Sequence, residues 1–366
     1  MTHIVHVGCW PPPLGGVSVH VMRLTFHQAG QGNHVRVYNE SPDSAEPSEL
    51  ILPRMSWGRL CLHLLCHPPD VLHVHSTNLK FRALLWLFQL RGCLVVATLH
   101  TAEPHEQFGP VGSWLARLVI WNLRRVQALV LVGKGAREAL LPQLGCRPNQ
   151  HLIHPWVTPP PGTGQASLPA EVRSFVARGG PLLVANGAVR LRPVGDLYGF
   201  DQLLAAMRLL VERGSPAKLL LYITSISSQT PEERAHYIKL KRECEDPTLR
   251  ERVLWHESLH DEFVPAIAAS DLVLRTTRFE SFGLTVVEAL ALGKPVLASD
   301  AAPRQPGALL YHSGDVVDLA DKIQAVLEGR LRPPANVPPC PGSESELDQL
   351  YLRLLSGSGK LLGKSA

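Results

Sequence analysis

The sequence predicts an α/β protein with two domains, each a doubly wound, mostly parallel sheet covered by helices. Its 366 residues suit two domains of about 150–200 residues better than one core. Short runs of aliphatic and β-branched residues alternate with longer helical patterns, as in βαβ units. A segment rich in Pro, Gly and Ser, residues 158–169, interrupts this alternation, which then starts again.

The first half contains six strand-like runs, in the order "HIVHVG", "HVRVYNE", "DVLHVHS", "LVVATLH", "ALVLVG" and "QHLIHPW". Helical patterns lie between them, namely "VSVHVMRLTFHQAGQG", "NLKFRALLWLFQLRG", "GSWLARLVIWNLRRV" and "KGAREALLPQLG". Parallel strands need such crossover helices, so this half predicts one doubly wound sheet.

The second half repeats the arrangement with the strands "PLLVANG", "AKLLLYIT", "ERVLWHE", "DLVLRT" and "KPVLASD". Its helices are "GFDQLLAAMRLLVERG", "TPEERAHYIKLKREC", "EFVPAIAAS" and "TVVEALALG". We predict a first domain over residues 1–157, a linker over 158–172 and a second domain over 173–330. Residues 331–366 are predicted to be a linker and a C-terminal helix that packs back on the first domain.

Composition excludes several classes of protein. With 45% hydrophobic and 19% charged residues, the chain is typical of globular proteins. Its formal charge of +4, concentrated in the first half, is too small to indicate nucleic acid. This charge suits an anionic partner such as a membrane surface, or equally an ordinary solvated surface.

Seven cysteines without a C-x-x-C pair argue against a disulfide framework and against structural zinc. No signal peptide precedes the first strand-like run, and "ALLWLF" is too short to span a bilayer. We expect a cytoplasmic protein, with a peripheral position at the inner face of the membrane as the alternative.

Two segments carry candidate chemistry. In "PPPLGGVSVHV", Gly15 and Gly16 lie where a strand leads into a helix, so backbone amides there can approach a phosphate. A plain turn explains this pair equally well. It is not a G-x-G-x-x-G dinucleotide fingerprint.

The stretch "RFESFGLTVVEALALGKPVLASD" places two carboxylates in an apolar setting. Glu280 lies on a strand-to-helix loop, and the amides of Phe282, Gly283 and Leu284 can hold a diphosphate at the helix N-terminus. Glu288, in the second helical turn, can accept the hydroxyls of a ribose. A nucleotide sugar has this build. Alternatively, Glu280 caps the helix and Glu288 pairs with Lys294 or an arginine.

The same stretch resembles the E-x7-E signature of the retaining GT-B glycosyltransferases of family 4. "PPPLGGVSVHV", "DVLHVHS", "VVATLHT" and "VANGAVR…YGFDQLLAAM" resemble further segments of that family in the same order, over most of residues 1–325. The resemblance implies a GT-B fold, with two Rossmann-like domains facing a deep cleft. It also implies a nucleotide-diphosphate sugar as the donor.

The resemblance implies a role for each matching position. Gly15 and Gly16 and the amides of residues 282–284 would bind the diphosphate. Glu280 would contact the hexose, Glu288 the ribose, and His100 would lie near the reacting sugar. Without the family, a lone histidine at a strand end is more often a structural hydrogen-bonding residue.

The chain departs from the family at one position. Family members have an arginine followed by a lysine that clamp the diphosphate, but Tyr198 stands where that lysine is expected. Arg190 is the first choice for the clamp and Arg192 the second. Arg275, Arg278 and Arg304 are further candidates for the missing cation, and an inactive relative is an alternative.

The acceptor is expected on the first domain, in loops that follow strand ends. The candidate contacts are Ser76, Asn78, Thr101, Glu103 and His105. Two helical segments, "LKFRALLWLFQLRG" and "SWLARLVIWNLRRVQ", combine Trp, Leu and Arg, which suits either a membrane-surface face or ordinary core helices. On the membrane interpretation, the acceptor would be a lipid-linked sugar.

No D-x-D motif occurs, so a metal-bridged diphosphate is not expected. In "HVHS", His73 and His75 are taken to alternate on a strand and to face opposite sides, which would prevent joint coordination. We therefore predict no metal and no cofactor other than the donor substrate.

The predicted function is retaining transfer of a hexose or N-acetylhexosamine to a saccharide or lipid-linked saccharide, in polysaccharide or glycoconjugate biosynthesis. No side chain stands out as a nucleophile, so front-face substitution is expected, with catalysis by positioning and electrostatic stabilisation. The alternatives are a sugar-nucleotide epimerase on the same fold and a non-catalytic nucleotide-sugar-binding relative. A phosphorylase would need a much longer chain.

Overall fold

The computed structural model of the protein describes residues 1–41, 47–110, 112–159, 168–226, 229–258, 261–334 and 340–358. The chain divides into two units. The first comprises Met1–Pro12, Gly16–Pro160 and Gly342–Ala366, and the second comprises Pro13–Gly15 and Pro161–Pro341. The predicted linker over 158–172 lies outside the described residues at 160–167, and the predicted tail over 331–366 does so at 335–339 and 359–366.

A six-stranded sheet forms the centre of the first unit. Its strands are β1 (His3–Gly8), β2 (His34–Asn39), β3 (Val71–Val74), β4 (Leu94–Leu99), β5 (Ala128–Leu131) and β6 (Gln150–Leu152). They lie in the order β2-β1-β3-β4-β5-β6, and every neighbouring pair is parallel. Strands β3, β4 and β5 are buried along their whole length, which explains their continuous aliphatic runs.

Helices cover both faces of this sheet. They are α1 (Gly16–Gly30), α2 (Trp57–Cys66), α3 (Leu79–Arg82), α4 (Leu85–Leu90), α5 (Pro104–Phe108), α6 (Trp114–Leu123), α7 (Lys134–Leu144) and the C-terminal α14 (Glu344–Gly357). Helix α14 buries Leu347 and Tyr351 in one cluster with Ile4 of β1 and Val71 of β3. Helix α14 thus completes the core of the first unit.

A second six-stranded parallel sheet forms the centre of the other unit. Its strands are β7 (Leu182–Ala188), β10 (Lys218–Thr224), β11 (Val253–Glu257), β12 (Leu272–Arg275), β13 (Val296–Ser299) and β14 (Leu309–Tyr311), in the order β11-β10-β7-β12-β13-β14. A small antiparallel hairpin, β8 (Leu191–Arg192) and β9 (Gly195–Asp196), follows β7. The sheet order is that of the Rossmann fold.

The helices of this unit are α8 (Ala170–Ala177), α9 (Phe200–Glu212), α10 (Pro231–Cys244), α11 (Val264–Ala269), α12 (Leu284–Ala291) and α13 (Val316–Leu327). Two core clusters lie on opposite faces of the sheet, because alternate residues of each strand point to opposite sides. Leu183 of β7 belongs to one cluster and Val184 to the other. The predicted pair of doubly wound parallel sheets is confirmed.

None of the helices in the described parts of the chain has both the length and the apolar character needed to cross a bilayer.

Candidate functional site

The second unit has its topological switch point between β7 and β12, the neighbouring strands from which the chain leaves in opposite directions. Open parallel sheets bind ligands beyond the carboxyl ends of their strands at such points. Asn186 lies near the end of β7, and Arg275 ends β12. The loop after Arg275 carries Glu280 to the start of α12. The predicted diphosphate segment therefore lies where this fold places ligands.

The Glu280 carboxylate is held between two guanidinium groups. Its Oε1 accepts from Arg275 Nε at 2.9 Å and also from Arg275 Nη2. Its Oε2 accepts from Arg304 Nη1 and from Thr277 Oγ1, the latter at 3.1 Å. Burial alone would raise the pKa of Glu280, but the charge and hydrogen bonds of Arg275, followed by those of Arg304, lower it to about 2. Glu280 is therefore ionised at neutral pH, and each of its oxygens accepts two hydrogen bonds.

Arg275 lies beside the residue that departs from the family pattern. Its guanidinium carbon lies 5.2 Å from the centre of the Tyr198 ring, a cation–π distance. Arg275 Nη1 also donates to the carbonyl and the side-chain oxygen of Asn186, at 3.1 and 3.2 Å. The Tyr198 ring packs so closely on Gly187 that a Cβ there would lie 2.1 Å from Cδ1. A cation thus lies next to Tyr198, provided by β12.

Gly283 is required at the start of α12 for two reasons. Its φ of 78° and ψ of 59° are left-handed, a conformation that side chains disfavour. In addition, a Cβ would lie 3.1 Å from both Arg304 Nη1 and Glu280 Oε2. The helix has no side-chain N-cap, so its first backbone amides, including that of Leu284, offer donors beside the charged group.

Glu288 is buried in α12, with 6% of its surface exposed. It lies close enough to Arg275 to help raise the pKa of that guanidinium, which burial alone would lower and which Glu280 raises most. One helical turn earlier, Thr285 Oγ1 donates to Asn186 Oδ1 at 2.9 Å. Lys294, a candidate partner for Glu288, donates to the carbonyl of Ser270 at 2.9 Å. Glu288 therefore belongs to the same polar group as Glu280.

The two predicted clamp arginines follow β7 and lie at the hairpin of β8 and β9. Arg190 Nη1 pairs with Glu233 Oε2 at 3.2 Å, and Glu233 also completes the capping box of α10 with Thr230. Arg192 ends the short strand β8. Arg190 is thus engaged with α10, whereas the guanidinium groups beside Glu280 are those of Arg275 and Arg304.

In the first unit, the predicted acceptor residues lie in the loops that follow β3 and β4. Ser76 Oγ donates to Glu40 Oε2, and Asn78 Oδ1 caps α3 by accepting from Phe81 N at 3.0 Å. Both side chains therefore also stabilise the turn in which they lie.

Thr101, Glu103 and His105 lie around α5. Thr101 Oγ1 accepts from Gln107 Nε2 at 3.0 Å, and Glu103 Oε2 lies 3.3 Å from His105 Nδ1.

Gly15 and Gly16 are exposed, and a Cβ on Gly16 would meet no atom within 4 Å. The backbone at the start of α1 is therefore uncrowded.

His100 belongs to a buried cluster of histidines. Its Nε2 lies 3.0 Å from His75 Nδ1, and His75 Nε2 lies 3.1 Å from His6 Nδ1. His73 Nε2 bonds to Thr98 Oγ1 at 2.7 Å. The expectation that His73 and His75 face opposite sides is wrong, because their ring centres are 4.0 Å apart. Residues two apart on a strand point to the same face. The structure therefore permits His73 and His75 to coordinate one metal ion together, which the sequence argument excluded.

Burial keeps these histidines neutral. It is the largest cause that lowers the pKa of His6 and of His20 to about 4. Burial, followed by the neighbouring histidines, lowers the pKa of His73 and His75 well below the ordinary value of 6.5. His100 shows the same direction, with His20 as the next cause. At neutral pH each ring therefore carries a nitrogen lone pair.

Comparison with known proteins assigns the family. Residues 186–329 match the family model described as glycosyl transferases group 1, and residues 14–159 match that of glycosyltransferase family 4. The two matches cover most of both sheets, except β1 and the start of β7. The chain belongs to the group 1/family 4 glycosyltransferases.

Relatives of this glycosyltransferase support the assignment. A stretch of 102 residues is 30% identical to mannosylfructose-phosphate synthase of Agrobacterium fabrum, over 28% of this chain and only 22% of that protein. Solved glycosyltransferases show the same fold. Anabaena HepE in complex with UDP and glucose has a TM-score of 0.65 at 16% identity, with full coverage of both chains.

Two further solved structures agree. Sucrose-phosphate synthase from Thermosynechococcus elongatus has a TM-score of 0.62 at 19% identity, covering 99% of this chain and 98% of that one. Trehalose-6-phosphate synthase (OtsA) has a TM-score of 0.68 at 12% identity, covering 99% and 98%. The predicted GT-B fold class is therefore confirmed, as is the family that the E-x7-E stretch indicated.

Sequence reasoning missed several side chains of this polar group, among them Asn186 and Ser299. Asn186 bonds to both Arg275 and Thr285, and Ser299 Oγ lies 2.9 Å from Arg304 Nη2. The sequence contained one signal for this group of charges. The run "DLVLRT" predicts a buried strand that ends at an arginine, and a buried guanidinium needs an acidic partner nearby. Glu280, five residues further on, is that acid.

Proposed function

We propose that this glycosyltransferase moves a hexose or N-acetylhexosamine from a nucleoside-diphosphate sugar to a saccharide acceptor, with retention of the anomeric configuration. The observation that carries the proposal is the polar group at the switch point of the second unit. Glu280, Arg275 and Arg304 lie there beside the uncapped N-terminus of α12. The two guanidinium groups are balanced by the carboxylates of Glu280 and Glu288, and the helix amides add the positive potential that suits a diphosphate.

In this proposal the leaving diphosphate is stabilised by the α12 amides and by Arg275, which takes the part of the lysine replaced at Tyr198. The support is the stacking of the Arg275 guanidinium over the Tyr198 ring. Charge that develops on the leaving oxygen then meets fixed donors, so little reorganisation is needed during reaction. Gly15, Gly16, Arg190 and Arg192 are further diphosphate contacts that we propose from the family resemblance.

Glu280 is proposed to orient the hexose. Its lowered pKa keeps it an acceptor, and the two arginines hold its orientation. Glu288, one helix turn along from Thr285, is proposed to accept the ribose hydroxyls. His100 is proposed to lie near the reacting sugar, and no metal is proposed at the diphosphate. The departing phosphate oxygen would take the acceptor's proton, in a front-face substitution.

The first test is binding of the donor. Relatives of this fold have been solved with UDP and glucose and with UDP-2-fluoro glucose, so uridine donors are tested first, then GDP-, ADP- and dTDP-sugars. We expect one donor to raise the melting temperature. Glu288→Gln should weaken its binding about 10–100-fold, since hydrogen bonds to a charged group contribute about 1.5–3 kcal/mol. The control Glu328→Gln, on the exposed end of α13, should bind as the wild type does.

Turnover separates the alternatives. With labelled donor and saccharide or lipid-extract acceptors, transfer supports the proposal, and NMR of the product reports the anomer. Isomerisation of the donor without an acceptor would instead show an epimerase, and binding without turnover would show a non-catalytic relative. If no donor shifts the melting temperature of folded protein, the donor assignment is wrong.

A lipid-linked acceptor is supported by one surface of the first unit. Trp114 and Trp121 of α6 are 74% and 41% exposed, and Leu90, at the end of the neighbouring α4, is 74% exposed. Arg125 lies 4.3 Å from the Trp121 ring centre. Aromatic and basic side chains together suit the interface of an anionic membrane. We expect the protein to sediment with anionic vesicles and Trp114→Ser to do so less. Equal sedimentation of both proteins would contradict this acceptor assignment.

A further inference from the structure

One ring nitrogen of the histidine cluster has no partner. His20 is 2% exposed, and its Nε2 makes no hydrogen bond within the described residues. Its other nitrogen, Nδ1, lies 2.8 Å from the carbonyl of Pro155, which can only accept. The proton must therefore be on Nδ1, and Nε2 carries a lone pair. A buried lone pair without a donor is costly unless something binds it.

The same reasoning sets the tautomer of His75. Gln28 Oε1 is an acceptor 2.8 Å from His6 Nε2, so His6 carries its proton there and accepts at Nδ1. His75 Nε2, 3.1 Å from that atom, must then donate to it. The remaining nitrogen of His75, Nδ1, is left with a lone pair, and it lies 3.0 Å from His100 Nε2.

We propose that His20, His75 and His100 form a binding site for one transition-metal ion of the Zn²⁺ class. The three side chains each offer one ring nitrogen, and these nitrogens lie within 4.8 Å of one another. Three neutral imidazoles are a ligand set that zinc uses when its fourth position stays open. The proposal replaces the expectation of no metal at "HVHS", whose stated reason was the wrong placement of the two histidine side chains.

Two of the three ligand nitrogens already have the spacing that the ion needs. Zn–N bonds of about 2.0–2.1 Å in a tetrahedral site separate two ligand nitrogens by about 3.3 Å. His75 and His100 already meet this value within a few tenths of an ångström. His20 is oriented by its bond to the Pro155 carbonyl, and His75 by its bond to His6. Such outer partners typically hold metal-binding histidines in place.

The protons balance without any ionised imidazole. In the metal-free chain, His100 Nε2 donates to His75 Nδ1. On coordination the His100 proton resides on Nδ1, and the lone pairs of His100 Nε2 and His75 Nδ1 each bind the ion. One hydrogen bond is exchanged for two coordinate bonds, and the third bond satisfies His20 Nε2.

A second trio, His6, His73 and His75, is also close enough to share an ion, but it is the weaker choice. Both nitrogens of His73 are already engaged, one with Thr98 Oγ1 and the other with the hydroxyl of Tyr351. In the chosen trio, by contrast, a metal ion would bind His20 Nε2, which has no other partner among the described parts of the chain.

The test uses full-length protein without a histidine tag, stripped of metal with a chelator. Equilibrium dialysis against Zn²⁺ should show one tightly bound ion per chain. Co²⁺ should give the intense visible absorption of four-coordinate cobalt. His20→Gln should weaken Zn²⁺ binding at least about 100-fold, because it removes a ligand. If His20→Gln does not fold, the less buried His100→Gln provides the same comparison.

His105→Gln is the matched control. His105 lies in the same unit, in a partly exposed group with Glu103 and Glu106 that could also hold a cation. This variant should bind Zn²⁺ as the wild type does. The proposal is overturned if the wild type binds no more Zn²⁺ than His20→Gln does. It is also overturned if His105→Gln loses the ion, or if Co²⁺ shows only the weak spectrum of six-coordinate cobalt.

Discussion

Replacing Glu280 by glutamine should destabilise the second unit by about 3 kcal/mol. The change leaves Arg275 and Arg304 buried without the carboxylate that they share. The pKa of Glu280 is about 2 in the folded protein, against an ordinary value of 4.5. At about 1.4 kcal/mol per pKa unit, this difference corresponds to about 3 kcal/mol of stability. Removing one partner of a buried ion pair costs about 3–5 kcal/mol, so the two figures agree.

The sign of the pH dependence follows from the same pKa. A carboxyl group whose pKa is lower in the folded state stabilises the fold above pH 4.5, and this contribution is lost as the pH falls towards 2. Glu280→Gln should therefore lack this part of the acid destabilisation. The measurement is unfolding in urea at pH 7 and at pH 3. Hydrogen exchange of peptides spanning residues 272–291 would report the unfolding of β12 and α12.

Glu251→Gln is the control for this experiment. Glu251 is 75% exposed, and its contact with Arg178 at 3.5 Å lies on the surface. Exposed pairs contribute about 0–1 kcal/mol, so this variant should behave almost as the wild type does. A loss of less than about 1 kcal/mol for Glu280→Gln, or one equal to the control, would refute the assignment of Glu280 as a fully paired buried charge.

Three other outcomes are expected. Gly283→Ala should lower the melting temperature more than Gly293→Ala does, because both have positive φ but a Cβ is crowded only at residue 283. Equal effects would argue against the crowding. The first unit should lose stability as the pH falls from about 6.5 to about 4, because the pKa values of His6 and His20 are lower in the folded state. Hydrogen exchange of β3 peptides measures this, and a flat profile would contradict it. Arg275→Lys should weaken donor binding about tenfold or more in titration calorimetry, since lysine cannot reproduce the forked contacts. Unchanged affinity would remove Arg275 from the diphosphate site.

The sheets were predictable because their signal is local. "DVLHVHS" and "LVVATLH" are aliphatic over a whole strand, as expected for strands buried on both faces, and β3 and β4 are such strands. The hairpin of β8 and β9 escaped prediction, since two-residue strands leave no periodic pattern.

The ion pairs of the candidate site were harder to predict from the sequence than the sheets were. Arg304 reaches Glu280 across 24 residues through the end of β13, and no sequence spacing specifies such a contact. The histidine cluster failed for a different reason. Adjacent residues of a strand point to opposite sides, but His73 and His75 are two residues apart and therefore point to the same side. The sequence argument treated them as adjacent residues.

The position of α14 has a consequence for how the polypeptide is made. The Ser343 amide and hydroxyl both bond to the carbonyl of Trp156, and Tyr351 bonds to His73 across 278 residues. A ribosome must therefore synthesise the whole second unit before the segment that finishes the first one emerges. A premature stop codon just before Glu344 would release a chain whose first unit leaves Ile4 and Val71 partly uncovered. Such a product would be a ready substrate for chaperones and proteases.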